Sequence, residues 1–163
     1  GMYAGRTIIP SYNSDGELNY FVARSYYENN KMKYKNPPVS RDVIVFDNQI
    51  NWNEPITLVE GVFDSFSVKR NVIPILGKFL PRTLKAKISE KGVKEINILL
   101  DSDAVDDSTK HANYFIKNGI KVKNIIPGEM DAGDMGFDKV NELLKETKET
   151  GWDDLILSKL NNI

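Results

Sequence analysis

The sequence predicts an α/β protein in which a mostly parallel sheet, covered by helices on both faces, is preceded by a small β-rich N-terminal subdomain. Three observations lead there. From Ile56 onward, short apolar runs alternate with helix-length amphipathic stretches, the pattern of buried parallel strands joined by crossover helices. Before Glu54 the texture is strand-like and loop-rich, with a tight-turn signal and a long polar stretch. Of the 163 residues, 40% are hydrophobic and 28% charged, which supplies a real core and a soluble surface. The division expected is a basic subdomain over 1–54 and a sheet domain with closing helices over 55–163.

The elements follow in order. Arg6-Thr7-Ile8-Ile9-Pro10 is a short apolar strand, and Asn13-Ser14-Asp15-Gly16 carries the Asp-Gly signal of a hairpin turn. Residues 18–25 return as the second strand. Residues 26–41 are polar, contain Pro37-Pro38 and read as a long loop; Lys31, Lys33, Lys35 and Arg41 make its second half basic, with Tyr34 among them. Ile56-Thr57-Leu58-Val59 is a buried strand ending in Glu60-Gly61, after which Phe63, Phe66 and residues 67–70 continue at helical spacing. Val72-Ile73-Pro74-Ile75-Leu76 is the next strand, closed by Gly77. Pro81 opens a helix that stops at Gly92. Ile96-Asn97-Ile98-Leu99-Leu100 is the most apolar strand and runs into Asp101-Ser102-Asp103. Residues 106–118 form an amphipathic helix with Ala112, Phe115 and Ile116 on one face and Gly119 as its stop. Residues 122–126 are a strand, and 138–148 and 153–160 read as closing helices.

Composition removes several kinds of chemistry. With 22 Lys+Arg against 23 Asp+Glu, nucleic-acid contact requires a local basic patch and not a polycationic surface. No cysteine and a single histidine exclude disulfides, thiolate nucleophiles, Cys-based zinc sites and paired-His catalysis. A metal would be held by carboxylates, which select hard ions such as Mg²⁺ or Mn²⁺. No apolar run reaches the ~20 residues of a membrane span. Gly1 ahead of Met2 reads as a remnant of cloning with no signal peptide after it, and the chain reads as cytoplasmic. His111 is expected on the exposed side of its helix, Trp52 and Trp152 as packing anchors, and the methionines as core filler.

The placement of acids carries the functional argument. Glu60 ends the first strand of the α/β part and Asp101 and Asp103 end the third, while Asp131 and Asp134 lie in the loop after the fourth. A parallel sheet puts all these ends on one edge, where such folds bind ligands. Several carboxylates gathered there remain ionised near neutral pH only with cations between them. Asp106, Asp107 and Asp138 instead sit where acids complement helix N-termini.

Leu58-Val59-Glu60-Gly61-Val62-Phe63-Asp64 resembles the glutamate motif of TOPRIM domains, Asp101-Ser102-Asp103 their aspartate pair, and Asp131-Ala132-Gly133-Asp134 the acidic loop that follows. The order Gly5-Arg6-Thr7-Ile8-Ile9-Pro10, Asp15-Gly16, Ala23-Arg24-Ser25 and Lys33-Tyr34-Lys35-Asn36-Pro37-Pro38 resembles the segment before TOPRIM in DnaG-type bacterial and phage primases, and Leu76-Gly77 falls where those carry a glycine turn. The resemblance spans nearly the whole chain. One departure is Asp106, which stands where the family's aspartate pair is followed by glycine.

The resemblance implies the RNA-polymerising core of a DNA primase, which makes short RNA primers from ribonucleoside triphosphates on single-stranded DNA. It implies catalysis by Glu60, Asp101 and Asp103. Mg²⁺ or Mn²⁺ would be held by these three with Asp64, Asp131 and Asp134, and Glu60 would be either ligand or proton acceptor. Arg6, Arg24, Lys33, Tyr34 and Asn36 are implied to meet triphosphate or template. It also implies a core cut from a larger protein, whose zinc-binding domain and helicase-contacting tail lie elsewhere. A TOPRIM-type metal-dependent nuclease and a non-catalytic nucleotide-binding module are the alternatives.

Overall fold

The computed structural model describes residues 1–128 and 130–160, the side chains of the last three of these excepted. A two-stranded antiparallel hairpin, β1 (Arg6–Tyr12) and β2 (Leu18–Ser25), comes first. Its turn forms as the Asp-Gly signal requires: Gly16 takes φ 81°, and the Asn13 side-chain oxygen accepts from the amides of Asp15 and Glu17 at 3.0 and 2.9 Å.

The polar stretch expected as a plain loop is partly a third rung of this hairpin. The Ser25 amide donates to the Lys33 carbonyl at 2.8 Å and the Lys35 amide to the Ala23 carbonyl at 2.9 Å. The Arg6 guanidinium holds the same segment, donating to the carbonyls of Met32 and Lys33 at 2.7 and 3.1 Å.

The second part is a four-stranded, wholly parallel sheet in the order β4-β3-β5-β6, formed by β3 (Ile56–Val59), β4 (Val72–Pro74), β5 (Glu95–Leu99) and β6 (Lys121–Ile125). Alternation along the strands sends Ile56, Leu58, Ile96, Ile98 and Val122 to one core, shared with α1 (Arg82–Lys91) and α2 (Val105–Lys117). Val59, Leu99 and Ile125 go to the opposite core under α3 (Ala132–Met135) and α4 (Phe137–Glu146). A closing helix, α5 (Trp152–Leu160), adds Leu155 to the first core. Helices therefore cover both faces, as the apolar runs predict.

The chain leaves β3 toward β4 on one side and then returns past it to β5 on the other. This reversal opens a crevice between the carboxyl ends of β3 and β5, the place where open α/β sheets bind ligands. A small third core of Tyr20, Val22, Val45 and Val62, with Phe63 and Leu76 against it, fixes the hairpin over that end.

Four readings of the sequence need correction. The helical spacing at 63–70 resolves into one 3-10 turn, Asp64–Ser67, because the chain must turn back at once to reach β4. His111 is half-buried; its Nε2–H donates to the Lys78 carbonyl at 2.7 Å. Trp52 packs on the first core as expected, but Trp152 is half exposed. Met2, Met32 and Met130 are exposed, and only Met135 packs against a core. Asp106, Asp107 and Asp138 do lie in first helical turns. Among the described residues no helix is long and apolar enough to cross a membrane.

Candidate active site

The carboxyl ends of the strands form the floor of a cleft of about 420 Å³ roofed by the hairpin segment. Glu60, Asp64, Asp101 and Asp131 line it, together with Lys33, Tyr34, Asn36 and Arg41. Four acids from three separate stretches of the chain thus share one cleft with basic and aromatic side chains.

Glu60 follows the last residue of β3, and its backbone carbonyl accepts from the Gly77 amide at 3.1 Å. Its side chain is half-buried; Oε2 is fully enclosed and has no hydrogen-bond partner. A buried carboxylate oxygen left without a donor is costly unless something else satisfies it. Burial first, and the charges of Asp103, Asp64 and Asp131 after it, raise the Glu60 carboxyl above its ordinary range, while Lys78 pulls the other way.

Asp101 stands just beyond β5, in extended conformation before the 3-10 turn Ser102–Ala104 that leads into α2. Its carboxyl is pushed up to about 7, by burial foremost and then by Asp64, Glu60, Asp131 and Asp103. Asp64 is raised mainly by burial, but it is partly satisfied: Oδ2 accepts from the Gly61 amide at 2.9 Å, and the Gly133 amide also donates to it. It ties the Glu60 turn to the acidic loop.

The remaining predicted residues occupy different places. Asp103 is at the edge, with 72% of its side chain exposed, and pairs with Lys78 at 2.8 Å; its charge still acts on Glu60 and Asp101. Asp131 is the residue before α3, whereas Asp134 lies within that short helix, exposed and away from the cleft lining. Arg6 spends its donors on backbone carbonyls. Arg24 sits against the Phe63 ring at 4.4 Å and the Tyr34 ring at 5.8 Å, a cation between aromatics that ties the hairpin to the Glu60 turn. Asn36 lines the cleft while its Oδ1 accepts from the Ala23 amide at 3.2 Å. Lys33 is exposed at the lip.

Sequence reasoning named neither Lys78 nor Phe63 as site residues, and left Arg41 as part of a basic run. The available signal for Lys78 was a base next to the Leu76-Gly77 turn at a strand end. Phe63 sits inside the glutamate motif itself.

The donor set fits a hard divalent cation: all-oxygen ligands, like charges in one another's field, and an enclosed oxygen without a donor. Among the described residues no three such side chains are gathered closely enough to hold an ion as they are placed. They share a cleft and a field, and an ion would have to draw them together.

The chain matches no protein-family model and no curated protein. Solved structures do match. The Aquifex aeolicus primase, comprising zinc-binding and RNA polymerase domains, superposes with a TM-score of 0.73 at 22% identity over 91% of this chain and 42% of that one. A DNA primase domain from Pseudomonas aeruginosa gives a TM-score of 0.75 at 17% identity, over 96% and 55%. A DnaG primase catalytic domain bound to single-stranded DNA gives 0.72 at 14% identity, again over 96% and 55%. The chain spans about half the length of the structures it matches. Its fold is that of DnaG-type primase catalytic cores.

Proposed function

We propose that this chain is the catalytic core of a metal-dependent primase that joins ribonucleoside triphosphates on a single-stranded DNA template. The observation that carries the reading is the crevice between β3 and β5, where Glu60 and Asp101 are both shifted toward protonation by burial and by one another. Such acids are poised to exchange protons for a cation near neutral pH. The primase fold and a neighbour bound to single-stranded DNA add support.

Glu60 and Asp101, with Asp103 and Asp131, are the residues that would hold Mg²⁺ or Mn²⁺, and Asp64 orients the Glu60 turn from behind. A divalent cation bound there supplies positive charge to the α-phosphate and departing pyrophosphate and acidity to the attacking 3′-hydroxyl. Glu60 Oε2, the unsatisfied oxygen, is the acceptor placed to take the hydroxyl proton if it is not itself a ligand. Lys33 and Arg41 line the same cleft as the acids and would meet phosphate oxygens, Arg41 with a planar fork and Lys33 as a mobile charge. Tyr34 presents a ring for a base. The setting is cytoplasmic, where template and triphosphates are found.

The test supplies labelled ribonucleotides, a single-stranded template and Mn²⁺ to the wild-type chain, Glu60→Gln and Asp101→Asn. RNA growth in the wild type, with about 10²–10⁴-fold less in each variant at unchanged circular dichroism, is expected. Undiminished synthesis in both variants overturns the site, and shortening of the labelled template with no growth turns the assignment to a nuclease.

A further inference from the structure

The Lys78–Asp103 pair is not needed to build the fold. It is exposed on the rim, with 33% and 72% of the two side chains accessible, and pairs of that kind are weak. Yet the backbone beneath Lys78 is held from three directions. The Gly77 amide donates to the carbonyl of Glu60 at 3.1 Å. The Arg41 guanidinium reaches the Leu76 carbonyl at 3.5 Å. His111 Nε2–H donates to the Lys78 carbonyl at 2.7 Å from α2. Leu76 and Gly77, at φ 58° and 133°, form the tight turn that these bonds fix. Only the long flexible stem of Lys78 is free to move, and its ammonium lies 2.8 Å from Asp103 Oδ2 and 3.4 Å from the Asp103 carbonyl.

We propose that Lys78 is a tethered counter-cation that occupies Asp103 while the rim is empty and must be displaced before Asp103 can ligate a divalent ion, so that it sets the metal affinity of the site. This rests on the reading of the rim as a metal centre. Converging acids at the ends of β3 and β5 repel one another without a cation, and Lys78 is the strongest charge favouring ionised Glu60, against Asp103, Asp64 and Asp131. An ammonium on a fixed base and a mobile stem offsets that repulsion in the metal-free protein. Because the pair is exposed, an incoming ion breaks it at a modest cost, ~2- to 5-fold in affinity.

Mn²⁺ alone is titrated into the intact chain at fixed pH and ionic strength, followed by the loss of the free-ion paramagnetic resonance signal. The proteins are wild type, Lys78→Ala, Lys78→Gln, which keeps most of the stem, Lys78→Arg, Asp103→Asn, and Lys78→Ala with Asp103→Asn. Tightening by ~2- to 5-fold in Lys78→Ala and Lys78→Gln, with none in Lys78→Arg, supports the proposal. The gain must vanish in the Asp103→Asn background, as a double-mutant cycle demands if the competition runs through that carboxylate. Equal or weaker Mn²⁺ binding in both charge-removing variants overturns it, as does a gain that persists with Asp103→Asn, which would mean a general field. If neither the wild type nor any variant binds Mn²⁺ saturably, the metal reading itself fails. Saturable binding with one affinity throughout sinks the role of Lys78 alone.

Discussion

Two acids in this protein are buried wholly or in part and are treated in opposite ways. Asp47, in the 3-10 turn Asp47–Gln49 between the hairpin and β3, is 7% exposed. It receives the Lys87 ammonium at 2.8 and 2.6 Å on its two oxygens and the Ser14 amide at 3.2 Å. Lys87 in turn lies over the Trp52 ring at 5.3 Å. Glu60, at the sheet's carboxyl edge, keeps an enclosed oxygen with no donor and faces three other acids. The first acid is finished by the protein's own residues; the second is left for something the chain does not supply. The enclosed oxygens of Asn97 and Asn124 also lack a donor, but they lie within the sheet, whereas Glu60 opens on a cleft it shares with other acids, and that is where an external partner is expected.

The sharpest way to break the contrast is at the finished pair. Lys87→Met leaves the buried Asp47 carboxyl without its cation, and is expected to cost about 3–5 kcal/mol of unfolding free energy, read by urea denaturation. A loss under about 1 kcal/mol would mean that the pair behaves like an exposed one.

The unfinished side predicts the opposite sign. Asp101→Asn removes a repelled, partly buried charge, so without divalent ions it should raise stability at pH 8, by no more than about 1 kcal/mol given its partial exposure. The pH dependence follows. The folded protein binds the Asp101 proton more tightly than the unfolded chain does, since its carboxyl is raised to about 7. The associated stability is present below the ordinary carboxylate range and is lost as pH rises through about 7. Thermal unfolding in EDTA should therefore show a melting temperature falling from pH 5 to pH 8 in the wild type. The fall should be smaller in Asp101→Asn.

The smallest effect separates two cations on the hairpin. Arg6, spent on carbonyls, should cost about 1 kcal/mol of stability as Arg6→Ala with an unchanged salt slope for single-stranded DNA binding. Lys33→Ala should leave stability alone and reduce that slope by about 1. Equal slopes in the two variants would remove Lys33 from the interface.

Legibility in the sequence followed local determination. Ile56-Thr57-Leu58-Val59 reads as a strand because it is a short, β-branched apolar run that stops at Glu60-Gly61, and it forms over those residues. Glu60 and Asp101 could be brought to one edge because parallel topology alone dictates it. Phe63 and Phe66 misled because a spacing of three suits one 3-10 turn as well as an α-helix; the two rings stack edge-on at 5.8 Å within that turn. The extra rung at 33–35 was invisible because its partners are backbone groups of Ala23 and Ser25, which carry no side-chain signature. Lys78 and Asp103, like Lys87 and Asp47, are paired across long stretches of chain, and nothing in the spacing of acids and bases tells which will meet. The contacts of Arg6 are illegible for the same reason: its partners are carbonyls that any residue could provide.

Asp64 links the two halves of the acidic rim through their amides. A methyl group on Gly61 would lie 2.9 Å from its Oδ2, and one on Gly133 would lie 3.1 Å from its Oδ1. The carboxylate therefore acts as a gauge block, setting the separation of the two loops by its own width and leaving no slack on either side. A side chain added at either glycine would press on this one carboxylate, so the turn that carries Glu60 and the loop that carries Asp131 are both built to its dimensions.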